Sequence, residues 1–362
     1  MKKERQSNIE LLRVIAMLMI VANHFVGHGV MYKWDPSRSY QLWSTGSYVN
    51  RMFSSLLSLG GEIGVGIFFI IAGYFLSKRS DFKFPKRLVL ETAFYGIASA
   101  IIGFVIYVLH VPLREMNLSL GGILRSALIP VTGGTWWFVT AYFFLVLLAP
   151  VLNKMLSKLA PGGDNKRVIS TITILWGFIY ALGQFALFSQ LEKAIFFYAL
   201  GYYYRKDKSK KLKPLIFLVV LIAAYGLGTI IRFQDASLYA NGITGNRFTL
   251  GEMLITVFIA PLCAYIWFTL FERNRMNDSR RINKIASTTF GVYLIHESII
   301  GRPLFWYNIL CVDTLQYESF LFPIFALISV VLVFVMCGLM DICREKYIQP
   351  LQMKLLSKFE VE

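Results

Sequence analysis

Apolar runs of about 18 residues or more recur along the chain, and that length spans the roughly 30 Å of hydrocarbon in a lipid bilayer. Counting the shorter ones, they fall at 8–28, 54–77, 88–110, 135–152, 168–189, 191–204, 214–231, 250–271, 285–301 and 320–343, bounded by charge, Pro or Gly. Only 16% of the 362 residues are charged, 56% are hydrophobic, and the mean hydropathy is +0.57. A water-soluble domain is nearer a quarter charged and could not hide so much apolar surface. The expected fold is an all-α polytopic bundle of about ten transmembrane helices. It forms one domain over residues 1–362, with no stretch left for a soluble one.

The basic residues test this division. With the N-terminus placed in the cytoplasm, 27 Lys and Arg fall on cytoplasmic segments, nine on outer segments and one, Arg13, within the first run. The inner clusters include KRSDFKFPKR at 78–87 and RKDKSKKLK at 205–213. Such an excess is what the positive-inside rule requires, so both termini are expected in the cytoplasm. Merging the fifth and sixth runs into a nine-span chain inverts every later loop and destroys the asymmetry.

The net charge of +16 is dispersed between apolar runs rather than gathered on a stripe, which argues against nucleic acid. Four scattered cysteines, Cys263, Cys311, Cys337 and Cys343, form no CxxC, so neither a metal site nor a disulfide framework is expected. The first run is too long and too polar for a cleaved leader and is expected to be retained. Trp34, Tyr40, Trp43, Tyr48, Trp136 and Trp137 lie in or beside the longer outer loops, where an aromatic belt would sit.

Ionisable groups at membrane depth are costly and tend to mark a pathway or reaction site. Arg13 and His24 are eleven residues apart in NIELLRVIAMLMIVANHFVGH. On a helix this is three turns plus about 20°, so they share a face, roughly 16 Å apart along the axis. Arg13 taken alone also reads as a snorkelling anchor, and His24 as an interfacial histidine. Glu62 is the one acid in GGEIGVGIFFIIAGYFLSKR and is expected near the depth of His24, either orienting its ring or capping the helix. Gly60 and Gly64 have the spacing of close helix packing. In the ninth run His296 shares a face with Thr289, with Glu297 and Arg302 following; it reads as a structural or a site histidine. Glu91, Gln184 and Glu252 are further polar positions with no partner evident in the sequence.

The segments IELLRVIAMLMIVANHF, GIFFIIAGYFLSKR, WWFVTAYFFLVLLAPVLN, FYALGYYYRK and TTFGVYLIHESI, in this order, resemble the acyltransferase-3 family of ten-helix bacterial membrane acyltransferases. The resemblance covers nearly the whole chain and is sharpest in the Arg-x10-His pair, Arg13 and His24. It extends to Phe68, Phe69, Ala72, Gly73 and Tyr74, and to Tyr293, Leu294 and His296. One departure is Gly66, where many members carry a polar residue. Some members also carry a C-terminal esterase-like domain, whereas this sequence closes on a short basic tail.

The resemblance implies transfer of an acyl group, usually acetyl, from cytoplasmic acyl-CoA to a hydroxyl of an extracytoplasmic or lipid-linked surface glycan, at the bacterial plasma membrane. Acyl-CoA is then a co-substrate, and no cofactor is tightly bound. Arg13, helped by Lys78 and Arg79, would hold CoA phosphates. His24, with Glu62 and His296, would serve the chemistry as a base or as an acyl-carrying nucleophile. The residues also suit a rival class, a transporter or exporter that moves a glycan or small molecule without acyl chemistry.

Overall fold

In a computed structural model the described residues are 5–31, 40–116, 118–133, 135–159, 165–182, 189–206, 213–242, 249–312 and 317–359. Trp34, Gln184 and residues 207–212 of the basic segment lie outside them. Among the described residues every regular element is a helix: α1 Ser7–His24, α2 Gln41–Thr45, α3 Tyr48–Leu76, α4 Lys86–Val108, α5 Leu120–Leu128, α6 Trp137–Leu159, α7 Asn165–Leu182 and α8 Ser189–Lys206. There follow α9 Pro214–Ala240, α10 Leu250–Leu254, α11 Ala260–Arg273, α12 Arg280–Ser287, α13 Thr289–His296, α14 Gly301–Pro303, α15 Phe322–Tyr347 and α16 Gln349–Phe359. Wider π-helical turns extend α1 through Phe25–Val30, join α10 to α11 through Ile255–Ile259, and follow α14 at Leu304–Ile309.

Among the described residues, seven helices are long and apolar enough to cross a membrane: Ser7–Val30, Tyr48–Leu76, Lys86–Val108, Trp137–Leu159, Pro214–Ala240, Leu250–Arg273 and Phe322–Tyr347. The other three expected runs are helical but differ in kind. The fifth is the helix α7, whose described apolar stretch is Arg167–Phe178. The sixth, α8, is not a lipid-facing helix: Phe197, Tyr198, Tyr202 and Tyr203 are fully buried among its neighbours. Its tyrosine hydroxyls donate to Asn153, Leu156 and Glu272. A helix enclosed by protein can carry polar groups that lipid would not accept. The ninth run is broken. The chain leaves the helix at Thr288, restarts as α13, and turns at Glu297 immediately after His296.

The ends of the helices gather on two faces. On one, the Asn8 amide donates to the Phe271 carbonyl, Asn153 to the carbonyls of Leu76 and Arg79, Arg205 to Tyr74, and Gln352 to Leu90. These are the ends that the charge count assigns together. On the other, Asn50 donates to the Tyr317 carbonyl, Tyr307 to the His28 carbonyl and the Arg114 amide to Asn308.

The central helix is α3, with 83% of its most apolar window buried against 22% for α9. Its small residues make this possible. A Cβ on Gly64 would stand 2.5 Å from the Ala16 carbonyl oxygen of α1, and one on Gly73 only 2.0 Å from the Tyr198 oxygen of α8. Gly66, the departure noted above, faces the Phe197 ring, 2.4 Å from where a Cβ would be; the ring takes the space that a side chain would need. The expected aromatic belt is only partly one. Tyr48 is 63% exposed, but Trp43 and Trp136 are wholly buried core residues. Replacing Gly73 by Val should force α3 away from α8 at a cost of ~3 kcal/mol. Thermal unfolding of the detergent-solubilised protein checks this, and a variant as stable as the parent would contradict the packing.

Candidate active site

Two polar sites lie along α1. At its beginning, a cavity of about 630 Å³ opens between α1, α3, α4, α6 and the ends of α12 and α15. Arg5, Arg13 and Arg87 line it, and its apolar wall includes Met17, Phe68, Phe138, Tyr142 and Phe290. The acids on the wall each have a cation beside them. Glu10 bonds Arg13 at 3.2 Å, Glu91 bonds Arg344 at 2.9 Å, and Glu345 bonds Lys284. The Arg13 guanidinium lies 6.0 Å from the centre of the Phe68 ring, and Arg5 donates to the Asn283 carbonyl. Lys78 and Arg79 are not on this wall. Lys78 is exposed, and Arg79 closes its own loop by donating to the carbonyls of Asp81 and Lys83. The cations joining Arg13 are therefore Arg5 and Arg87 rather than the expected pair at the end of α3.

At the far end of α1 is a buried cluster. Nδ1 of His24 lies 2.9 Å from Nε2 of His296 and 3.3 Å from Oε1 of Glu297. Nε2 of His28, on the π-helical turns that follow α1, lies 2.9 Å from the same oxygen. Arg302 donates to Oε2 of Glu297 at 2.8 Å. His24, His28, His296 and Glu297 are all less than a tenth exposed. His296 and Glu297 close α13, where the Glu297 N–H still donates to the Tyr293 carbonyl, and both side chains reach His24 of α1.

The partners assign the ring protons. Nδ1 of His296 bonds the Val292 carbonyl, which can only accept, so Nε2 of a neutral His296 is an acceptor. Nδ1 of His24 then donates to it, and a neutral His24 carries its lone pair on Nε2. The result is a neutral His24 ring oriented by a second histidine, with the Glu297 carboxylate beside it.

Glu62 is not the carboxylate at the His24 ring. It forms an ion pair with Lys193 of α8, and Glu297 takes the expected place. Glu91 and Glu252, left without partners above, meet Arg344 and Arg232. Sequence reasoning missed the roles of His28, Glu297 and Arg302. The only available signals were their positions four residues after His24, and one and six residues after His296.

Two further features bear on what could reach this cluster. Between it and the 630 Å³ cavity stand Phe138 and Tyr293, edge to face at 5.5 Å, with the Tyr293 ring 6.4 Å from His24 and 6.0 Å from His296. On its other side is a cavity of about 240 Å³ lined by Glu115, Ser119 and Arg302, the same arginine that holds Glu297. His24, His296 and Glu297 also bring one ligand-type atom each within 4.8 Å of one another, a donor set that suits a divalent cation as well as a proton network.

The structure is thus a helical membrane bundle with a buried imidazole pair on a carboxylate, between an arginine-lined cavity and an opposite opening. The family model described as an acyltransferase domain, that of the acyltransferase-3 family, matches residues 6–341. The chain belongs to that family and is a multi-pass membrane acyltransferase. Comparison with curated proteins and with solved structures gave no match.

Removing the carboxylate tests the cluster without assuming its chemistry. Truncating one partner of a fully buried pair costs about 3–5 kcal/mol. The Arg302 side chain is 41% exposed and can turn to water, so Glu297→Ala should cost on the order of 2 kcal/mol, and Glu297→Gln less. Equal thermal stability of the Ala variant and the parent would show that the cluster is not formed.

Proposed function

We propose that this protein is a membrane O-acyltransferase that moves an acyl group, acetyl in the first instance, from cytoplasmic acyl-CoA to a hydroxyl of an extracytoplasmic or lipid-linked glycan. In this reading the chain crosses the bacterial plasma membrane ten times. The seven long helices are joined by α7, α8 and the broken α12–α13 segment, and both termini are cytoplasmic. The observation that carries it is the division of α1. One helix lines a cationic cavity with Arg13 at one end and holds the base His24 in a buried cluster at the other, about 16 Å away.

The donor's nucleotide phosphates meet Arg5, Arg13 and Arg87, whose charge favours a polyanion. The pantetheine arm extends along α1 toward His24. The acceptor hydroxyl approaches from the Arg302 side. His24 Nε2 removes its proton, and the oxygen attacks the thioester carbonyl carbon. The carbon–sulfur bond then breaks, and the CoA thiolate takes the proton back from the imidazolium. The products are an O-acyl ester and free CoA. His296 holds the His24 ring, and Glu297 stabilises the imidazolium. A general base of this kind contributes typically ~10²–10⁴-fold. Lys78, Arg79 and Glu62 have no direct part in these steps.

Mass spectrometry of surface glycan from parental, deletion and His24→Ala cells tests the assignment. The ester, labile to mild base, should be lost in the last two at equal protein level. Full acylation with His24→Ala would remove His24 from the reaction, and an unchanged glycan mass on deletion would favour a transporter. With purified protein, Arg13→Ala should raise the KM for acetyl-CoA about tenfold, the loss of one charge-assisted contact, while Lys78→Ala leaves it unchanged. Release of CoA should survive EDTA. Inactivation by EDTA with recovery on added Zn²⁺ would instead assign His24, His296 and Glu297 to a metal.

A further inference from the structure

The acyl group must reach His24 from a cavity whose wall does not include His24. Met17, Phe68, Phe138 and Tyr142 form part of its apolar wall. The aromatic ring contacts that lead from the wall to His24 run through Phe138 and Tyr293. Phe138 is 6% exposed and is held by Phe68 at 5.8 Å, Phe69 at 5.1 Å, Tyr142 at 6.0 Å and Tyr293 at 5.5 Å between ring centres. Tyr293 in turn borders both histidines of the cluster.

From this arrangement we infer that Phe138 is a specificity-determining residue that limits the length of the acyl group transferred. The inference rests on the acyl-CoA reading above and deepens it. For attack, the thioester carbonyl carbon must come within about 3–3.5 Å of an oxygen activated by His24. Any carbons beyond the carbonyl must then lie against the rings beside the histidines. A methyl group asks the least displacement of the packed ring pair. Each further methylene has to displace a ring, and closely packed aromatic contacts do not yield without loss. Phe138 is the ring of the pair that touches both the cavity and Tyr293, so its size sets the space available.

The experiment uses the purified full chain with acetyl-CoA and butyryl-CoA as donors and mild-base-treated surface glycan of the source cells as acceptor. The readout is the ratio of kcat/KM for butyryl to acetyl transfer. One methylene in a fitted apolar pocket changes such ratios by about 10–200-fold. Phe138→Ala should therefore raise the butyryl-to-acetyl ratio at least about tenfold, and Phe138→Leu should raise it less. The Leu variant serves where the Ala variant does not fold. A general loosening of the bundle would lower both rates and leave the ratio alone. A ratio within twofold of the parent in the folded variants overturns the inference, as does a parent that uses both donors equally well. Release of CoA from neither donor by the parent contradicts the acyl-CoA reading itself, and the inference falls with it.

Discussion

Glu297 is a carboxylate 6% exposed inside the helical bundle, and two imidazoles and a guanidinium share its oxygens. A lone carboxylate there would be too costly to keep ionised. With Arg302 beside it the pair is neutral, and the histidines can remain uncharged at rest. That balance leaves a neutral His24 with its lone pair on Nε2 and a carboxylate close by. It also fixes tertiary structure, because the four side chains come from α1, the turns after it, the end of α13 and α14.

The rest of the bundle serves to hold α1 with its two ends in different surroundings. α3 packs tightly along it through Gly64, and α8 packs on α3 through Gly73, which leaves the Arg13 end open toward α4, α6 and α15. Of the acids on that opening, Glu10 is paired with Arg13 itself, while Glu91 and Glu345 are paired with Arg344 and Lys284 from outside the wall, which leaves the charges of Arg5 and Arg87 uncancelled there. The aromatic residues between the two ends form an apolar partition. It stands between the charged vestibule and the His24 cluster.

Much of this was legible in the sequence. Seven of the ten apolar runs are long helices in the expected places, because a span of apolar residues bounded by charge has few alternatives in a bilayer. The shared face of Arg13 and His24 follows from helix geometry alone, and α1 is continuous between them. Pairings across the bundle were not legible. Glu62 and Glu297 are both acids in apolar surroundings, and nothing local says that the first meets Lys193 and the second His24. Lys78 and Arg79 looked suited to phosphate because they follow α3, but the turn after the helix sends Arg79 back onto its own loop. Arg87, eight residues later, starts α4 and faces the cavity. Trp43 and Trp136 resembled belt residues by sequence position, yet tertiary packing buries both.

The central claim is that one helix presents donor and acceptor to opposite faces of the membrane. Sidedness tests it most directly. The full chain is reconstituted in vesicles in a single orientation. Acetyl-CoA labelled in the acetyl group is supplied only on the face where Arg13 lies, and the de-esterified glycan only on the other. Label should appear as an ester on the glycan, and should not do so with the two supplies exchanged. Transfer only when donor and acceptor share a face would contradict the account.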